Sequence, residues 1–182
     1  MTEKVLRQID RRPWVLCGIL VVVVILITIR CFLWPVQITT VYIVRHAEKQ
    51  GSGANAPLST AGHARAQQLV HVVGDENIDA VFVTEFTRTQ QTGAALAAAK
   101  GITAGQYQAG NSQSVVDAIL VDHVGERVLV VGHSNTVDDI AAGLGATGLS
   151  DLAEAQFDRL FVVHRFGSVT HLDRLRYGAE TP

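Results

Sequence analysis

Two hydrophobic textures share this chain. Residues 14 to 29 (WVLCGILVVVVILITI) form one unbroken apolar run without a charge. Beyond Pro35 the apolar residues come in short bursts between longer, mixed stretches of helix formers. Bursts rich in β-branched residues predict strands at 39–45 (TTVYIVR), 79–84 (DAVFVT) and 127–131 (RVLVV), with a further edge strand at 102–107. The stretches between them predict helices at 59–73, capped by Ser59 or Thr60, at 87–100, closed by Gly101, at 112–124, and at 135–144, ended at Gly145. Residues 159–163 and 169–174 read as a closing pair of strands. Strand and helix alternating in this way predict an α/β fold: a three-layer α/β/α sandwich on a mostly parallel sheet. Its functional residues should gather at the carboxyl ends of the strands.

The first run has the dimensions of a membrane span. Trp14 to Trp34 is 21 positions, about 31 Å of helix at ~1.5 Å per residue, against a hydrocarbon core of about 30 Å. The two tryptophans sit where an aromatic belt would place them. A cleaved signal peptide is the main alternative, but the run exceeds an h-region of roughly 7–15 residues and no small-x-small site follows it. A helix buried in a soluble domain would need more protein around it than the chain supplies. The expectation is a cytoplasmic tail at 1–12, a transmembrane anchor at 13–34 and one domain at 36–182. Lys4, Arg7, Arg11 and Arg12 precede the run and only Arg30 closes it. Positive residues stay inside, so the domain should face outward, into the periplasm of a bacterium.

Charge divides at the same place. Residues 1–30 hold five Lys/Arg and two Asp/Glu, and the remainder ten against fifteen, so a basic leader precedes an acidic body. An acidic body offers no footprint for a nucleic-acid backbone. Cys17 and Cys31 both belong to the leader, so the body has neither disulfide nor thiolate chemistry.

Three predicted strands end in reactive side chains. The first ends in Arg45-His46, the second in Thr84-Glu85 leading to Arg88, and the strand at 127–131 in Gly132-His133-Ser134-Asn135. The fold rule brings these to one rim. Two guanidinium groups and a helix start favour a phosphate. A histidine among them resists protonation, so its pKa should fall below about 6.5 and leave a lone pair for nucleophilic attack. A second histidine, protonated once phosphate is bound, can donate to oxygens that gain charge in transfer. No metal or other cofactor is required, and a cation beside Arg45 and Arg88 would be repelled. Ser134 and Asn135 can cap the following helix or contact phosphate, and Asn135 is a candidate substrate ligand. Gly132–Thr136 resembles a serine-hydrolase elbow only loosely, because Thr136 stands where the final glycine is needed. His63, His71, His123, His164 and His171 show no partner pattern. Arg65 reads as a surface charge, and Glu48 and Lys49 as loop residues at the mouth or in water.

These residues form motifs. Val44-Arg45-His46-Ala47-Glu48 resembles the RHG-type motif of the histidine phosphatase superfamily, which includes the phosphoglycerate mutases. Leu58-Ser59-Thr60-Ala61-Gly62-His63-Ala64-Arg65-Ala66 is similar to that family's L-[ST]-x-x-G-x-x-[QR]-A helix start. Thr84 to Thr92 is similar to its S-x-x-x-R-x-x-Q-T segment, and Val131-Gly132-His133-Ser134-Asn135 to its second-histidine motif. The resemblance spans residues 39 to 178. It implies a phosphoglycerate mutase-like fold with His46 as the phosphorylated nucleophile and Arg45, Arg88 and His133 completing the pocket.

Two departures matter. Ala47 replaces the usual glycine. The general acid that family members take from an Asp beside the second histidine, or from a Glu in an insertion, is also missing: Ser134 holds the first place and residues 101–111 contain no acid. Glu85 is the best replacement and Asp138 the second. Without a dedicated acid, substrates with good leaving groups, such as a phosphohistidine or an acyl phosphate, would be preferred. The expected activity is phosphate release from a phosphorylated small molecule or cell-surface sugar rather than from a phosphoprotein. A phosphomutase, or an idle domain that only binds a phosphorylated ligand, is the alternative.

Overall fold

A computed structural model of the chain describes residues 13 to 33 and 37 to 182. The expected tail at 1–12 and the belt residue Trp34 lie outside the described residues. The chain divides between residues 36 and 37 into two units. The first contains helix α1 (Pro13–Leu33), 21 residues long. Its described side chains, Trp14 and residues 16 to 28, are exposed and almost wholly apolar. Among the described residues no helix is long and apolar enough to cross a membrane. The expected transmembrane helix is therefore not part of what the fold establishes.

The second unit carries one six-stranded sheet of order β3-β2-β4-β1-β5-β6. Its strands are β1 (Thr39–Arg45), β2 (Ala80–Thr84), β3 (Gly105–Tyr107), β4 (Arg127–Gly132), β5 (Arg159–Phe166) and β6 (Val169–Arg176). Four helices cover it: α2 (Thr60–Val73), α3 (Thr87–Lys100), α4 (Ser112–Asp122) and α5 (Val137–Gly143). β3, β2, β4 and β1 run parallel, whereas β5 is antiparallel to β1 and β6 antiparallel to β5. The sheet is thus mixed, which corrects the expectation of a mostly parallel one. The physical cause is the segment after α5. It returns without a helix to the rim formed by the carboxyl ends of the parallel strands, where Leu152 N donates to Ser134 O at 2.8 Å. β5 therefore starts at the rim and runs backward, and the tight Gly167-Ser168 reversal makes β6 antiparallel to it.

Both faces of the central strands are buried, which explains why they read as unbroken apolar runs. Val41, Ile43, Val128 and Val130 pack toward α4 and α5. Tyr42, Val44, Leu129 and Val131 pack toward α2 and α3. Burial of a side chain such as Ile43, which is fully enclosed, contributes about 1.5–3 kcal/mol. Ser59 caps α2 as expected, its hydroxyl accepting from Gly62 N at 3.1 Å. Gly62 has a second task, since a Cβ there would collide with the carbonyl of Glu48. Its absence lets α2 press against the loop that follows β1. α5 is shorter than predicted, because residues 133–136 form a turn in which Thr136 Oγ1 accepts from His133 N at 2.9 Å.

Candidate active site

The register between β1 and β4 creates the site. Arg45 lies opposite Gly132, and His46 N donates to Gly132 O at 2.9 Å. The next residue on each strand is a histidine, so the His46 and His133 rings meet edge-on with centroids 5.4 Å apart. Arg88, on the first turn of α3, reaches His133 Nδ1 at 3.4 Å through Nη2. Arg45, His46, Arg88, His133, Ser134 and Asn135 line one cavity of about 380 Å³. The residues singled out at three separate strand ends therefore converge.

Hydrogen bonds fix the tautomers. His46 is 4 % exposed, and its Nδ1 lies 2.8 Å from Ala47 O. A carbonyl can only accept, so Nδ1 carries the proton and Nε2 keeps a lone pair. Burial pushes the His46 pKa down to about 3; the Ala47 hydrogen bond opposes the shift, while Arg45, His133 and Arg88 reinforce it. On His133, Nδ1 faces the guanidinium of Arg88, which can only donate, so the proton sits on Nε2. That nitrogen is 3.1 Å from Thr84 Oγ1, which in turn is 2.8 Å from Thr89 Oγ1. Thr89 donates to Phe86 O at 2.8 Å. Burial, then Arg88, lowers the His133 pKa to about 4, with Glu85 opposing and Arg45 adding a smaller push.

The two arginines are held yet incompletely used. Arg45 spends Nη1 on the carbonyls of Ala153, Glu154 and Gln156 at 2.9, 2.8 and 3.2 Å, and its guanidinium lies 4.2 Å above the Phe157 ring. Arg88 spends Nη1 on Ala54 O at 2.6 Å and stacks 4.4 Å above Phe86. The Nε atoms of both are buried and have no partner among the described residues. Orphaned cationic donors at a cavity are costly to leave unpaired and favour an anionic ligand. Burial lowers the pKa of both guanidinium groups; Glu154 opposes this at Arg45 and Glu85 at Arg88.

The remaining expectations fare differently. Glu85 is exposed and does not line the cavity; its Oε2 accepts from Ala109 N at 2.9 Å. Asp138 is half-buried and also outside the lining. Ser134 and Asn135 do not cap α5; Thr136 occupies that position. Arg65 is not a surface charge. It is 4 % exposed and grips Glu48 through Nε and Nη2, at 3.0 and 2.8 Å. The same guanidinium donates to Tyr177 O and Ala179 O, each at 2.9 Å. Its position on α2 faces the close approach that Gly62 permits, a burial that charge alone did not signal.

Several site residues carried no sequence signal. Glu154 and Phe157 lie in a segment without a motif and arrive only because the chain returns to the rim before β5. Thr84 was visible as a strand-end hydroxyl, but its bond to His133 was not. Gln91 and Thr92 of the third motif are structural: Gln91 Oε1 accepts from Leu58 N at 2.7 Å, and Thr92 Oγ1 from Ala47 N at 2.9 Å. Ala47 itself is fully buried.

A family model described as "Histidine phosphatase superfamily (branch 1)" matches residues 41–109. Comparison with curated proteins by sequence finds no match. Among solved structures, the protein histidine phosphatase SixA complexed with tungstate superposes with a TM-score of 0.58 at 19% identity, covering 75% of this chain and 96% of that one. A mycobacterial glucosyl-3-phosphoglycerate phosphatase gives 0.59 at 12% identity, covering 78% and 100%. Bacillus stearothermophilus YhfR gives 0.57 at 17% identity, covering 74% and 95%. At these identities the structures share the fold. The matched residues hold the first three motif segments, including the one on α2; the second-histidine segment after β4 lies outside them and meets them at the cavity. The chain belongs to the histidine phosphatase superfamily.

Proposed function

We propose that the chain hydrolyses phosphorylated compounds through a phosphohistidine formed on His46. The observation that carries this reading is the committed tautomer of His46: its only proton is given to Ala47 O, leaving Nε2 as a neutral nucleophile in a cavity walled by two arginines. Phosphate oxygens take the orphaned donors of Arg45 and Arg88, whose charge makes a resident metal unnecessary. Nε2 attacks phosphorus, a P–N bond forms, and the P–O bond to the leaving group breaks with its electron pair. The dianionic ligand favours a second proton on His133, which then donates from Nδ1 to a transferring oxygen while Nε2–H stays on Thr84. Water next attacks phosphorus, the P–N bond breaks, and inorganic phosphate leaves.

Protonation of the leaving group is the weak point of the site. Glu85 accepts a hydrogen bond from Ala109 N, which suits a carboxylate that holds the 105–111 loop rather than a proton donor. Glu154 is the acid that lines the cavity, and it is solvent-exposed. This supports a substrate whose leaving group needs little help, such as a small acyl phosphate or a phosphohistidine, over a sugar phosphate. The open cavity, which admits water beside His46, supports hydrolysis over mutase chemistry.

The test is brief incubation with 32P-acetyl phosphate. The expected result is acid-labile, base-stable label on the wild type and none on His46→Ala, unaffected by EDTA; equal label on both proteins would refute the reading. Phosphate release from acetyl phosphate should also exceed that from glucose 6-phosphate.

We further propose that the apolar run at residues 13–34 anchors the chain in a membrane, with the N-terminus cytoplasmic and the domain outside. The uncharged run from Trp14, the exposure of its apolar side chains and the excess of Lys and Arg before it support this. Retention of the full chain in vesicles washed at alkaline pH is the expected outcome, and complete release would exclude it.

A further inference from the structure

Arg45 is held from outside its own strand. Its Nη1 meets carbonyls of the turn at 153–156. That turn closes on itself, with Gln156 N donating to Ala153 O at 2.9 Å and Ala153 N to Gln156 Oε1 at 3.1 Å. The flat face of the guanidinium lies 4.2 Å from the Phe157 ring, which also stands 6.1 Å from the His46 ring. Only Phe157 and Asp158 separate the turn from the start of β5. Both are fixed by one side chain that follows β6. Thr181 Oγ1 accepts from Phe157 N at 3.1 Å and from Asp158 N at 3.3 Å, and donates to Asp158 Oδ1 at 2.7 Å. A hydroxyl has one proton and two lone pairs, so the whole capacity of Thr181 is spent on these two residues. Asp158 is 1 % exposed, and its carbonyl accepts from Tyr177 N at 2.9 Å. None of these bonds passes through Arg65.

We propose that Thr181 is a positioning residue for the reaction. Its hydroxyl sets the Phe157–Asp158 backbone, and with it the carbonyl turn and the aromatic face that aim the Arg45 guanidinium at phosphate. The inference rests on the reading of Arg45 as a phosphate ligand. A guanidinium recognises an oxyanion through a planar fork of donors, so the plane must be set before the ligand arrives. Valine at 181 would keep nearly the same shape, yet leave two backbone N–H groups and a buried carboxylate oxygen short of a partner. The two residues would then shift to find other partners, and Arg45 would move with the ring and carbonyls that hold it. Thr181 lies beyond residues 39 to 178, which carry the motifs, so no motif marks it.

The test is calorimetric titration of the full chain with inorganic phosphate, beside steady-state phosphate release from acetyl phosphate. Thr181→Val should weaken phosphate binding and lower kcat/KM about 10-fold, as loss of an outer-shell partner does, while Thr181→Ser, which keeps the hydroxyl, should restore both. In an Arg45→Gln background the valine should cause no further loss, because its effect passes through Arg45. A merely structural Thr181 would lower the melting temperature and leave phosphate affinity per folded molecule unchanged, and that result would overturn the proposal. Additive losses in the double variant would also overturn it. Phe157→Leu keeps the backbone bonds and removes the aromatic face, so it should weaken phosphate binding similarly. Wild-type affinity in that variant would overturn the proposal even if Thr181→Val did not fold. Undiminished phosphate binding by Arg45→Gln would remove the reading of Arg45 and the proposal with it, whereas a loss there beside wild-type affinity in Thr181→Val removes the proposal alone.

Discussion

Two buried arginine regions of this domain look alike by exposure and differ in what their nitrogens do. Arg65 and Arg45 are each 4 % exposed. All three nitrogens of Arg65 are spent on Glu48, Tyr177 O and Ala179 O, which ties α2, the loop after His46 and the chain's end into one clamp. Arg45 engages carbonyls through Nη1 alone, and its Nε, like that of Arg88, is left without a partner among the described residues. A satisfied buried charge contributes structure, while an under-satisfied one at a cavity is poised for a ligand. Counting donors, rather than burial, separates scaffold from site.

The largest expected effect belongs to the site. His46→Ala should lower kcat roughly 10⁴-fold or more, read as phosphate release from acetyl phosphate at unchanged melting temperature. Next comes the pair that tests the contrast directly. Arg88→Ala should lower kcat/KM about 10²–10³-fold with little change in stability. Arg65→Ala should lower stability by about 3 kcal/mol, the low end for a broken buried pair because Glu48 is partly solvated, with turnover per folded molecule nearly preserved. Thermal denaturation and steady-state kinetics on both variants decide it; an Arg65→Ala protein that is stable but inactive would break the distinction. Thr84→Val removes the hydroxyl that holds His133, and a loss of roughly 10-fold in kcat is expected, in the range of outer-shell partners.

The smallest effect is on pH. Both histidines have folded pKa values below the ordinary 6.5, at about 3 and about 4. Between those values and 6.5 the unfolded chain binds more protons than the folded one. These groups therefore cost no stability above pH 6.5 and cost progressively more as pH falls from 6.5 toward 3. The melting temperature should drop over that window, less steeply in His46→Asn, and an identical slope in that variant would remove His46 as a contributor.

Much of this was legible in order along the chain. The strand cores announce themselves because each has both faces covered, and Ser59 and Gly101 mark where a helix begins and where one ends. Arg45, His46, Arg88 and His133 were legible because each stands at or just past the carboxyl end of a strand. The segment 145–158 was not legible, because its return to the rim depends on contacts such as Leu152 with Ser134, which no local periodicity encodes. Arg65 was misread for a related reason: charge suggests exposure, and its carboxylate partner lies 17 residues away in sequence.

By itself, then, the sequence determined the strand–helix alternation, the rim where chemistry gathers, and the residue types suited to phosphate, since these depend on local propensity and on strands ending where loops begin. Only the tertiary structure decided the antiparallel turn of β5, the tautomers of His46 and His133, and the separation of Arg65 from Arg45 and Arg88. Each of these is set by which distant backbone atom or side chain comes within hydrogen-bonding or packing distance, a property of register and of chain return that no short window of residues contains.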